Sequence, residues 1–249
     1  MEDPIGQKKI LSDLNKTVDQ ILISFEALED WGPSGNRPDQ YNSDVVADQV
    51  TADSLGELGY RILSEESENL SGEGLVAVVD PLDGSTNASR GLPWFATSLC
   101  VVDEHGPLVA VVADLVHFVR YEAIRGKGSF KDGEKLLRTD NPELSESIIG
   151  ISGLPPHNPG WAQFRSLGAI ALDLCAIADG RLDGFVDCSP DAHGIWDYLG
   201  ASLVCAEAGI EVEDSQGRNL HELDRSIRRT PVAGVGDLHG KLLDFRQRF

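Results

Sequence analysis

Asp80 and Asp83 close an apolar run and open a cluster of small polar residues, in the stretch VVDPLDGSTN from Val78 to Asn87. Pro81 between them fixes its own φ and withdraws one backbone donor. A turn at that point would project both carboxylates and the Leu82 carbonyl toward one place, a set of oxygens suited to a hard divalent cation such as Mg2+. Gly84, Ser85 and Thr86 follow with backbone N–H groups and two hydroxyls, a concave donor set of the kind that receives a phosphate oxygen. Metal ligands running directly into an anion cradle point to phosphate chemistry. The same residues also read as an ordinary turn, with Asp80 as its cap and Asp83-Gly84 at its corner. Two further acidic features bear on the choice. SEES, Ser64 to Ser67, brings Glu65 and Glu66 to the end of a strand, and IWDYLGASLVCAEAG opens a helix with Asp197. An acid in a helix's first turn is ordinarily a cap worth about 1 kcal/mol, so taken singly each acid has a purely structural reading.

The elements that must position these residues are legible from apolar periodicity. Ile10, Leu11, Leu14, Val18, Ile21, Leu22, Phe25 and Leu28 keep helical spacing to about Asp30. WGPSGNRPDQYNS breaks that helix with Gly, Pro and Asn, and a second helix is expected from about Ser43 to Gly59, leading into a short strand at YRILSEES. LVAVVD reads as a buried strand, and FATSLCVV, PLVAVVADL and FVRYEAI follow with Gly-rich turns between them, as in an antiparallel meander. Beyond about Pro142 the pattern changes: SIIGIS as a strand, GAIALDLCAIADGR as a small-residue helix, GFVD as a strand, then the Asp197 helix, TPVAGVG as a strand and a terminal helix from about Asp237. The expected division is residues 1–142, an α+β part bearing the metal and phosphate motif, and 143–249, an α/β part completing one functional unit. The element order favours a layered α+β or α/β sandwich.

Composition narrows the function classes. Of 249 residues 41% are hydrophobic, enough for a sizeable core, and 41 acidic against 21 basic side chains give a formal net charge of −20. Such a surface repels nucleic acid and anionic lipid, and it repels phosphate esters too unless bound cations reverse the sign locally. The four cysteines, Cys100, Cys175, Cys188 and Cys205, show no C-x-x-C pairing, so a reducing, cytoplasmic setting is expected. No apolar run suggests a membrane span.

Four motifs, in order, resemble the inositol monophosphatase family of Mg2+-dependent, lithium-sensitive sugar phosphatases. DPLDGSTN is similar to its D-P-[IL]-D-G-[TS]-x-N signature, and WDYLGASLVCAEAG to its second signature. SEES occupies the place of G-E-E-S, and FRSLGAIALDLCAIADGRLDGFVD resembles the segment with R-x-x-G-[ST]-A-A-L and G-R-x-D. The resemblance implies an αβαβα sandwich of the inositol monophosphatase and fructose-1,6-bisphosphatase type, two or three Mg2+ ions, a homodimer and a small-molecule phosphate ester as substrate. It places Glu65, Asp80, the Leu82 carbonyl, Asp83 and Asp197 as metal ligands. Gly84, Ser85 and Thr86 would take the phosphate, and Gly168, Ala169 and Asp187, with Arg165 nearby, would contact the polyol. Glu65, or Asp48 paired with Ser85, would orient or deprotonate the attacking water. Ser85 replaces the usual threonine, the lysine-containing approach to Asp48 is altered to RPDQYNSDVVADQ, and the second signature ends in Ile210 rather than glycine.

Inositol 1-phosphate is the first expected substrate. Fructose 1,6-bisphosphate, alone or as a dual activity, is the alternative, ahead of 3′-phosphoadenosine 5′-phosphate and histidinol phosphate. Haloacid-dehalogenase phosphatases need Asp-x-Asp, which the Asp80–Asp83 spacing does not give. An EF-hand loop would need side-chain oxygens at Leu82 and Gly84. A catalytically dead metal-binding regulator would have lost one of Glu65, Asp80, Asp83 and Asp197, and all are present. His193, four residues before Asp197, reads as a bystander.

Overall fold

The buried residues of the first helix, α1 (Pro4–Glu26), include Ile10, Leu14, Val18 and Ile21, one stripe at helical spacing. α2 (Asn42–Glu57) packs beside it, and Thr17 and Ser54 hydroxyls join the pair at 2.9 Å. The structure is a computed structural model and describes residues 4–38 and 40–249. None of the helices described is long and apolar enough to cross a membrane.

β1 (Arg61–Ser64), β2 (Glu68–Asn69) and β3 (Val76–Asp83) lead to a short helix, α3 (Ser85–Arg90). β4 (Ala96–Asp103), β5 (Gly106–Asp114), β6 (Val119–Ile124), β7 (Gly128–Lys131) and β8 (Glu134–Leu136) follow as a meander. Together they form an eight-stranded sheet in the order β2-β1-β3-β4-β5-β6-β7-β8, antiparallel except where β1 runs parallel to β3. A second sheet, of five strands, is built from β9 (Ile148–Ser152), β10 (Gln163–Arg165), β11 (Gly184–Asp187), β12 (Glu211–Asp214) and β13 (Pro231–Gly234), ordered β10-β9-β11-β13-β12.

Alternation along the central strands sets the layers, because successive side chains point to opposite faces. Ala77, Val79, Leu99, Val101, Val109 and Val111 pack with Ile10, Leu14, Val18 and Leu55 of the first two helices. Their neighbours Val76, Val78, Cys100, Val102, Ala110 and Val112 face α4 (Ile170–Ala178) and α5 (Ile195–Glu207). Every residue of α4 is buried, as befits a helix between two sheets. Phe185 and Ala233 of the second sheet close that middle layer, while Ile149, Ile151, Val186 and Val232 pack on Leu238, Leu242 and Phe245 of α6 (Asp237–Arg246). The result is helices, sheet, helices, sheet, helix: the αβαβα sandwich.

One irregularity places the chemistry. Asp80 pairs with Ser98 but Asp83 with Ala96, so three steps on β3 oppose two on β4. Strict alternation would put Asp80 and Asp83 on opposite faces; the one extra residue brings both to the side of α4 and α5. Leu82 goes to the other side, into the core beneath α1. The bulge falls at Pro81, which has no N–H to lose, and its carbonyl accepts the buried Thr97 hydroxyl at 2.8 Å.

Candidate metal and phosphate site

Four carboxylates from three separate places in the chain line one cavity of about 290 Å3: Glu65, the Asp80–Asp83 pair and Asp197. Glu65 follows β1, whose parallel pairing sets Ser64 beside Val79, and its N–H donates to the Val79 carbonyl at 3.2 Å. Glu65 therefore stands alongside Asp80. Asp197 sits in the first turn of α5 and accepts the Gly194 N–H at 2.8 Å with Oδ2, so the helix cap fixes the acid that the cavity uses. Asp83 Oδ2 accepts the Ala171 N–H at 2.7 Å from the start of α4, and Asp80 Oδ1 the Leu82 N–H at 3.0 Å.

Their electrostatics are those of like charges gathered out of water. Burial first, then Asp197 and Glu66, push Glu65 up to about 8. Burial and neighbouring acids raise Asp80 and Asp83 well above the usual carboxylate range, Glu65 acting most on Asp80 and Asp197 on Asp83. No lysine or arginine among the described residues lines this cavity. Among the described residues no three His, Cys, Asp or Glu side chains stand as a ready ligand set, Asp80, Asp83 and Asp197 each being held on a backbone donor of its own. The donor chemistry nevertheless fits hard divalent cations, since the four carboxylates are all-oxygen donors gathered on one cavity with no lysine or arginine in its lining to offset them.

Gly84, Ser85 and Thr86 border the same cavity. Gly84 has φ +84°, and a Cβ there would lie 3.0 Å from the Trp94 carbonyl oxygen and 3.1 Å from the Ala169 Cβ. Only glycine fits. Asn87 ties the surrounding loops together, its Nδ2 donating to the Trp94 carbonyl at 2.7 Å and the Leu167 carbonyl at 2.8 Å. Gly168 and Ala169 are thereby held at the rim, beside Gly84.

Three expected positions differ. Asp48 does not meet Ser85: its Oδ1 accepts the hydroxyls of Ser64 at 2.7 Å and Ser67 at 3.0 Å, bracing the turn that carries Glu65. The acid beside Ser85 is Asp44, one helical turn earlier, whose Oδ2 accepts the Tyr41 N–H at 2.8 Å and whose pKa the serine hydroxyl helps to lower. Burial above all, against that N–H, pushes Asp44 up to about 7. Arg165 lies on the exposed edge strand β10, donating to the Phe164 carbonyl and to Gln163, and is not part of the cavity lining. Asp187 is fully buried behind His193, with 3.6 Å between its Oδ2 and the histidine Nε2.

His193 is no bystander in position. It lines the cavity, and its Nδ1 lies 3.3 Å from Asp197 Oδ2. Burial pulls its pKa down, but Asp197 and Asp187 outweigh that and raise it. Asp173, in the first turn of α4, also lines the cavity; burial pushes it up to about 7 while the Trp94 indole N–H donates to it at 2.9 Å. Its position in the first turn of a helix otherwise built of apolar and small residues was the available signal.

The sequence profile of the inositol monophosphatase family matches residues 39–244. A fructose-1,6-bisphosphatase of Pyrococcus furiosus is 32% identical over 238 residues, 91% of this chain and 90% of that protein. The Nus factor SuhB of Escherichia coli K12 is 32% identical over 230 residues, covering 83% and 85%. In structure, a hypothetical protein of Pyrococcus horikoshii with similarities to inositol-1 monophosphatase superposes with a TM-score of 0.83 at 26% identity, over 96% of this chain and 98% of the other. With its four motifs, its layers and its carboxylate-lined cavity, the chain belongs to the inositol monophosphatase family.

Proposed function

We propose that this phosphatase hydrolyses the phosphomonoester of a small polyol or sugar, inositol 1-phosphate first, with Mg2+ as cofactor. The observation that carries the reading is the convergence of Glu65, Asp80, Asp83 and Asp197 on the cavity that Gly84, Ser85 and Thr86 also border. Those four side chains and the Leu82 carbonyl would hold two or three Mg2+ ions. When bound, such cations neutralise phosphoryl charge and make a water molecule easier to deprotonate. The remaining work falls to the chain's own groups. Gly84, Ser85 and Thr86 would hold the phosphate by backbone N–H and hydroxyl. Asp44, through Ser85, and Glu65 would orient the attacking water and take its proton as the ester P–O bond breaks in line. Gly168 and Ala169 would bound the polyol, with His193 in front of the buried Asp187 completing that wall.

Fructose 1,6-bisphosphate is the second reading, favoured by the identity to the Pyrococcus furiosus enzyme. Residues 1–142 and 143–249 act in this scheme as halves of one functional unit, since the proposed ligands come from both. The reading includes a homodimer, on the family resemblance, and a cytoplasmic setting, on four free, buried cysteines.

The test is phosphate release from a panel of these esters, with and without Mg2+ and with added Li+. Asp80→Asn and Asp197→Asn should each abolish Mg2+-dependent release while leaving the fold intact. Near-normal turnover in either variant would sink the assignment.

A further inference from the structure

A second cavity, of about 300 Å3, lies on the other side of Glu65. Arg37, Pro38, Trp196, Arg225 and Arg228 line it together with Glu65. In a chain of net charge −20, three guanidinium groups around one hollow reverse the local sign. Arg37 is paired with Glu66, but neither Arg225 nor Arg228 has a carboxylate partner among the described residues. Arg225 donates from Nε to the Ser64 carbonyl at 3.1 Å and from Nη2 to the Glu65 carbonyl, which fixes its guanidinium beside the catalytic turn. Arg228 stacks over the Trp196 ring, 4.9 Å from its centroid, and uses Nη1 on the Arg225 and Ile227 carbonyls. Arg225 Nη1 and the Nε and Nη2 of Arg228 have no partner among the described residues. Planar, immobilised guanidinium groups with unspent N–H donors match the oxygens of a phosphate group.

We propose that this arginine-lined cavity binds a phosphate group distinct from the one hydrolysed. Two sources share that chemistry: the second phosphate of a bisphosphate ester held in the adjoining cavity, or a free anion. The site itself goes beyond the reading above; its use by a bisphosphate substrate rests on that reading.

The test uses the full-length, Mg2+-loaded protein and Arg228→Gln, with Arg225 left intact because it holds the Glu65 backbone. Calorimetric titration with sulfate counts anion sites, and KM is measured for fructose 1-phosphate and fructose 1,6-bisphosphate. The expected result is the loss of one sulfate site and a KM for the bisphosphate raised about tenfold or more, as for a lost charge-assisted contact. KM for the monophosphate should stay within about twofold, since the lost contact is to a charge it lacks. Loss of the sulfate site with both KM values unchanged supports the phosphate site and assigns it to a free anion. Unchanged sulfate stoichiometry and affinity, with both KM values unchanged, would overturn the proposal and leave the arginines as braces for the Ser64–Glu65 turn. If neither ester is turned over the substrate reading fails, and the sulfate count still decides the site.

Discussion

Ser85 meets Asp44 and not Asp48, although both acids lie on α2. They are four residues apart, one turn along the same face, so either could reach the loop after β3 depending only on how deeply the helix is set. The structure divides the labour: Asp44 stands at the phosphate loop, and Asp48 holds Ser64 and Ser67 under Glu65.

That division makes opposite predictions for two conservative changes. Asp44→Asn should lower kcat by about 10²- to 10⁴-fold, as for a lost proton acceptor, with little loss of stability, because burial already opposes its charge. Asp48→Asn should cost about 1–2 kcal/mol in urea unfolding, from weakened hydroxyl contacts, and keep kcat within about tenfold. Steady-state kinetics beside denaturation curves decide it; the reverse pattern would restore Asp48 to the catalytic role.

The extra residue in β3 can be tested at its support. Thr97→Val keeps the shape but removes the hydroxyl that bonds the buried Pro81 carbonyl. Stability should fall by about 1–3 kcal/mol for the unsatisfied acceptor. Mg2+ affinity, read from the concentration that half-activates turnover, should weaken several-fold, because Asp80 and Asp83 flank that carbonyl. A variant that loses stability but keeps wild-type Mg2+ activation would show that the bulge does not set the acids.

Metal-free protein should lose stability as pH rises. Folded Glu65 keeps its proton to about pH 8, whereas its ordinary value is 4.5. Between those values the folded state binds more protons than the unfolded one, so the slope of stability against pH is negative. Asp80, Asp83 and Asp44 act with the same sign, as does His193, whose raised pKa gives stability that is lost as pH climbs through it. Arg37 opposes the acids. Acids held below the usual range, such as Asp103, Asp140, Asp179 and Asp214, act with the opposite sign only in more acidic solution. In EDTA, Tm should therefore fall from pH 5 to pH 8, and the rise in Tm on adding Mg2+ should grow over the same range. A flat or rising Tm in EDTA would contradict the clustered, proton-holding acids.

What was legible in the sequence follows from what is local. Asp80, Asp83 and Gly84 to Thr86 are contiguous, so their chemistry could be read from types and spacing; Glu65 and Asp197 needed the company of the other motifs. The layers were legible because alternation in β3 to β5 and the apolar stripe of α1 are themselves local patterns. The bulge was not, since an extra residue exists only relative to Ser98 and Ala96 on the partner strand. His193 entered the site through the loop that α5 anchors, and Arg225 and Arg228 through a turn more than 150 residues from Ser64, which no spacing rule connects. Asp44 and Asp48 were indistinguishable by period.

The phosphate loop supplies the last test, because two glycines with similar backbone angles differ in what surrounds them. Gly84 has φ +84° with the Trp94 carbonyl oxygen, the Ala169 Cβ and the Gly168 carbonyl oxygen 3.0, 3.1 and 3.2 Å from a would-be Cβ. Gly91 has φ +69° and nothing within 4 Å. Both alanine variants bear the strain of a left-handed residue, about 1–2 kcal/mol. Only Gly84→Ala must also push apart the loops that Asn87 holds, where two of the three close atoms belong to the backbone. Gly84→Ala should thus lose kcat/KM by about 100-fold or more, since small displacements of positioned groups carry that cost, while Gly91→Ala should lose stability alone and turn over within about twofold of wild type. Equal activity losses in the two variants would mean that backbone strain, and not the close approach around Gly84, governs the loop.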